Sequence, residues 1–240
     1  MSSAPSWPIH PEEFVIDELL KSSEEFQHFY HDERPKIVFP VLWAQDASLP
    51  VGIDYRTTLL TSGEHFVRLL HIPARIQDAC KIAHELEHFV LESEGFPMLG
   101  PVSDQYELLS SSIGSVVADL LVNSRLQKFG FDLRADYESE ITESKRQIEN
   151  NPVPPTNRYE QMIWMANSAS HLLDWEFILS NRDKSEFQTW FERKHPGIAA
   201  RSAKLAAMVK RIGFDTPGKQ AKLFREIIRR YKLDDVLLIR

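Results

Sequence analysis

The chain has 240 residues, 42% of them hydrophobic and 26% charged, an ordinary globular composition with length for one large core or two small ones. A formal net charge of −7 argues against nucleic acid or an anionic membrane surface as the main partner. One cysteine excludes an intrachain disulfide, no signal peptide or apolar run of transmembrane length is evident, and a soluble cytoplasmic protein is expected.

Residues 1–9 read as a loose tail, because Pro5 and Pro8 block regular structure. Pro11 opens a predicted helix to about His31, with Phe14, Leu19, Leu20, Phe26 and Phe29 as its buried stripe. The run from Ile37 to Trp43 is β-prone, but Pro40 confines it to an edge or a bulge. A loop over 46–50 leads to two strands, Gly52–Leu60 and His65–Ile72, joined by a hairpin turn at 61–64. A long helix follows from about Ala74 to Glu94, with Pro73 ahead of it and Gly95 as its stop. Residues 96–102 are broken by Pro and Gly and read as a loop.

A second long helix runs from about Asp104 to Lys128 and ends at Gly130. The remainder reads as helical: Leu133–Asn150, Asn157–Leu179, Lys184–His195, Ile198–Ile212 and Thr216–Tyr231. The Pro-rich break at 151–155 is the best candidate boundary between a domain over 10–150 and a helical part over 156–240, although one compact domain would also fit. Trp164, Trp175, Trp190 and Phe191 belong either to a core or to a partner-binding surface. The expected class is α+β: a small antiparallel sheet packed on a helix pair, followed by a mainly helical C-terminal part.

The chemistry concentrates in His84-Glu85-Leu86-Glu87-His88. On a helix, positions four apart share a face, so His84 and His88 can both reach one metal ion. Glu85 lies about 100° round the helix from His84, placed to take a proton from water held by that metal. This is the H-E-x-x-H pattern of zinc hydrolases. The bland alternative is a solvated helix face with ordinary i,i+4 contacts. The apolar neighbours Ile82, Ala83, Phe89, Val90 and Leu91 favour the metal, because buried imidazoles and a carboxylate without partners are unfavourable. Cys80 stands four residues before His84 on the same face. It reads first as a small core residue, and otherwise as an extra ligand or a redox-sensitive brake.

A catalytic zinc site takes three protein ligands and keeps one position open. From Ile113 to Val122 the only polar side chains are Ser115 and Asp119, which share a face with Ser112 and Asn123. A carboxylate in so apolar a stretch needs a partner, and a zinc ion would supply one. Gly114 and Ala118 would let another helix approach. Glu107 and Asp104 are rival third ligands, and a Lys or Arg from another element is the alternative partner for Asp119. Asn123, or less well Ser115, could orient a ligating imidazole.

A sheet feeding an H-E-x-x-H helix resembles the zinc metallopeptidases of the zincin type. The string Ala118-Asp119-Leu120-Leu121-Val122-Asn123 makes this closer, because a group of bacterial metallopeptidases pairs H-E-x-x-H with a later helical A-D-x-x-V-N. The resemblance covers two helices, about a fifth of the chain, and departs from the better-known gluzincins, whose third ligand is Glu. It implies one Zn2+ per chain, held by His84, His88 and Asp119, and a protease that hydrolyses a peptide or protein substrate with Glu85 as general base. It also implies an edge strand before the helix to which substrate adds, and Phe66–Leu70 would play that part. His171, Tyr137 and Tyr159 are candidates for the transition-state donor. The rival function is a metal-stabilised binding or regulatory module, and two imidazoles with a carboxylate would also suit iron or manganese.

Overall fold

A computed structural model describes residues 7–47, 49, 55–62, 65–73, 78–150, 153–174, 178 and 181–240. The expectations for residues 1–6, for positions 48 and 50 of the 46–50 loop, for the start of the Gly52–Leu60 strand at 52–54, for the tip of the 61–64 turn, for the start of the long helix at 74–77 and for Trp175 lie outside the described residues. Contacts divide the chain into two compact units, 1–94 with 128–131, and 95–127 with 132–240. The break at 151–155 falls inside the second.

The first unit opens with β1 (Ile9–His10), α1 (Glu12–Ser22) and α2 (Glu24–Glu33). The single helix expected from Pro11 to His31 is thus two. Ser23 adopts extended backbone (φ −133°, ψ 115°), and its side chain accepts from the Phe26 N–H at 3.1 Å. A serine followed by two glutamates suits a helix start better than a helix interior. Val15, Ile16 and Leu19 form the buried side of α1, whereas Phe14 is 71% exposed and does not belong to it. Phe29 packs edge-on against Phe129 and Phe131, which ties residues 128–131 to this unit.

The sheet comprises β1, β2 (Val41–Gln45), β3 (Arg56–Ser62) and β4 (His65–Ile72), in the order β1-β2-β4-β3. It is mixed rather than antiparallel, because β2 and β4 run parallel, with Trp43 opposite Leu70. Pro40 does not force an edge: the strand starts just after it, and its carbonyl accepts from the Arg68 N–H at 3.0 Å. Nor is Phe66–Leu70 an edge strand. β4 is paired on both sides, with β2 and with β3, and β3 is the outer strand. Interior position explains why β4 buries residues 68–72 on both faces. Arg68 among them forms a bidentate pair with Glu92. Then comes α3 (Ala79–Ser93), closed by Gly95 at φ +81°, a conformation that favours glycine.

The second unit is mainly helical. It contains β5 (Leu99–Pro101), α4 (Glu107–Leu126), α5 (Arg134–Asn150), α6 (Arg158–Asp174), α7 (Asn181–Lys194), α8 (Pro196–Ile212), α9 (Pro217–Tyr231) and β6 (Leu237–Ile239). The stretch read as a loop over 96–102 therefore contains a strand, paired antiparallel with the C-terminal segment. The core brings Ile113, Val116, Val117 and Leu120 of α4 against residues of α6, α8 and α9. Phe191 is buried there, and Trp164 and Trp190 pack partly against it, so these aromatics serve the core. The observed class is α+β, with a small mixed sheet and a helical C-terminal part. Among the described residues, no helix is long and apolar enough to cross a membrane.

Candidate metal centre

Helix α3 begins at Asp78, whose side chain accepts from the Lys81 N–H at 3.1 Å. Ile82, Ala83, Leu86, Phe89 and Val90 recur at helical spacing and are all buried, which fixes the rotation of the helix. That rotation leaves His84, Glu85 and His88 half-buried. The Nε2 atoms of His84 and His88 approach to 3.1 Å, with the rings at 74° to each other. Two nitrogens bound to one tetrahedral zinc at about 2.0–2.1 Å stand roughly 3.3 Å apart. The two imidazoles therefore converge on a point that a small cation would fill. Cys80 lies one turn before His84 and is half-buried.

Tyr55, just ahead of β3, is a neighbour of the start of α3 that the sequence presents only as part of a strand. Its hydroxyl oxygen accepts from the Asp78 N–H at 2.9 Å. Burial, then the charges of Asp78 and Glu85, push its pKa up to about 12 against a lowering by that hydrogen bond. A phenol so placed keeps its proton at neutral pH within the field of Glu85. Nothing local in the sequence points to this, because the contact joins residues 23 positions apart.

In the second unit, Asp119 is half-buried on α4, and Asn123, one turn on, is buried. Glu107 and Asp104 are both exposed. Glu107 stands twelve residues before Asp119, about 18 Å along the helix. The glycine at 114 is not needed for a close helix approach: a Cβ there would meet nothing within 4 Å among the described residues.

Behind Asp119 lies a buried polar cluster. The Asn123 Nδ2 donates to the Tyr137 hydroxyl at 2.6 Å. The Tyr137 phenol in turn interacts with Asp174, the last residue of α6. Asp174 is 2% exposed; its Oδ2 accepts from Ser170 Oγ at 3.0 Å, while its Oδ1 makes no well-formed hydrogen bond among the described residues. Burial raises its pKa to about 8, helped by the negative charges of Asp119 and Glu140 and opposed by the hydrogen bonds from Ser170 and Tyr137. Burial, then the charges of Asp174, Glu140 and Asp119, hold Tyr137 well above the usual phenol range.

Tyr137 is thus committed to this cluster rather than presented as a transition-state donor. His171 is buried at 3.0 Å from Ser144 Oγ, and burial lowers its pKa to about 4, so it is neutral. Tyr159 packs edge-on against Tyr106. His71 is fully buried in the sheet, with Nδ1 3.2 Å from the Asp46 carboxylate and Nε2 3.0 Å from Thr58 Oγ1. Comparison with known proteins finds no matching family model, no similar curated protein and no similar solved structure.

Proposed function

We propose that this protein is a zinc-dependent metallopeptidase, with His84, His88 and Asp119 as the protein ligands of one ion and Glu85 as general base. The observation that carries the reading is the 3.1 Å approach of the two Nε2 atoms beside Glu85 on α3. Two imidazoles and one carboxylate make a donor set that suits zinc and leaves a coordination position open. A divalent ion there would lower the pKa of a water molecule and polarise the scissile carbonyl. Glu85 takes the water's proton and passes it to the leaving amine. Tyr55 keeps its hydroxyl proton and is the candidate to donate a hydrogen bond to the oxyanion.

An extended peptide would run along β3, the outer strand of the sheet, where Leu59 and Leu60 are exposed. Strand β4 has no edge left to offer.

Zinc content and peptide hydrolysis of Glu85→Gln test the proposal. The amide cannot accept the proton, so turnover should fall by about 100- to 10,000-fold with zinc retained. A fully active Glu85→Gln variant contradicts the mechanism. Zinc bound by a wild type that cleaves nothing in a broad peptide library favours the binding module.

A further inference from the structure

Asn123, Tyr137 and Asp174 come from three helices, α4, α5 and α6, yet meet in one buried polar chain. Buried polar groups weaken a core unless they serve one another or a ligand. Here the chain is incomplete by itself. Asp174 is 2% exposed, its Oδ1 lacks a well-formed hydrogen bond among the described residues, and the charges that act on it, from Asp119 and Glu140, are negative. A carboxylate held out of water beside a phenol, in the field of the half-buried Asp119 and the exposed Glu140, is an arrangement that a cation relieves.

The direction of the chain can be worked out. A phenol has one proton to give and an oxygen that accepts. The Asn123 Nδ2 can only donate, so the Tyr137 oxygen accepts from it at 2.6 Å, and the phenol proton is left for Asp174. The carboxamide of Asn123 is thereby fixed one turn beyond Asp119 on the same face of α4.

We propose that Asn123, Tyr137 and Asp174 are positioning residues of the metal centre, which act through Asp119 to hold its carboxylate in place. This rests on Asp119 being a ligand, as proposed above. Partners behind metal ligands commonly set affinity by 10- to 100-fold.

The test is zinc affinity of the full chain, measured by competition with a chelating dye, beside the unfolding midpoint without metal. Tyr137→Phe and Asp174→Asn should each bind zinc about 10- to 100-fold more weakly than wild type. Ser144→Ala is the control. It removes the part-buried hydrogen bond to His171 in the same helical unit and should lower the midpoint without changing zinc affinity. A Tyr137→Phe variant that stays folded and binds zinc as tightly as wild type overturns the inference and leaves the peptidase reading standing. The same holds if Ser144→Ala weakens zinc as much as the other two, since the cluster would then be structural. A wild type that takes up no zinc overturns both readings.

Discussion

At the scale of single residues, burial decides what each titratable group can do. His171 has a folded pKa of about 4 against an ordinary value of 6.5, so folding favours its neutral form. Its contribution to stability is complete above the unfolded pKa and is lost as pH falls from 6.5 towards 4. The amount is on the order of 3 kcal/mol at most. Asp174 has the opposite sign. Its folded pKa lies near 8 against 3.8, so its contribution is complete at low pH and is lost as pH rises through that range. The two slopes oppose each other in the acid range, so the measurement must be a difference. The gap in unfolding free energy between wild type and His171→Gln should widen in favour of wild type as pH rises from about 4 to 6.5. A gap that stays constant would show that His171 titrates normally. Asp119 could be picked from the sequence because it stands almost alone in ten apolar positions. Tyr137 and Asp174 cannot be linked to it, since they lie on other helices and neither carries a local signal.

Among elements, those with local chemistry at their ends were legible. Gly95, Gly130 and Gly213 take positive φ at helix stops, and Thr216 caps α9 by accepting from Lys219. The division at Ser23 was missed because the apolar spacing runs on through it, although the serine and the two glutamates after it were the available clue. Ser23→Ala should cost about 1 kcal/mol, visible as a lower denaturant midpoint with unchanged slope. The pairing of β5 with β6 joins Leu99 to Ile239 and leaves no mark in either short segment. The place of β4 inside the sheet was equally hidden, because the hydrophobic pattern reports burial of a strand and not its neighbours. Burial in turn separates two apolar substitutions. Leu86→Ala, at a fully buried site of α3, should destabilise by about 2–5 kcal/mol, whereas Phe14→Ser, at an exposed site of α1, should change stability by less than about 0.5 kcal/mol. Equal losses at the two positions would mean that Phe14 is covered in solution.

Over the whole molecule, two helices carry the chemistry-bearing residues. A helix presents two converging imidazoles and a carboxylate, and a separate helix presents Asp119 with a polar cluster behind it. The α+β class was legible because long amphipathic helices and short β-prone runs have different periods. The mixed order of the sheet depends on pairings between distant segments and was not. The central claim is a zinc site made by His84, His88 and Asp119, and the metal content of the purified protein tests it most directly, beside His84→Ala and Asp119→Ala. Close to one zinc per chain is expected in wild type, and its loss in both variants. A wild type that binds no metal after incubation with zinc, or an Asp119→Ala variant that keeps it at full affinity, contradicts the claim.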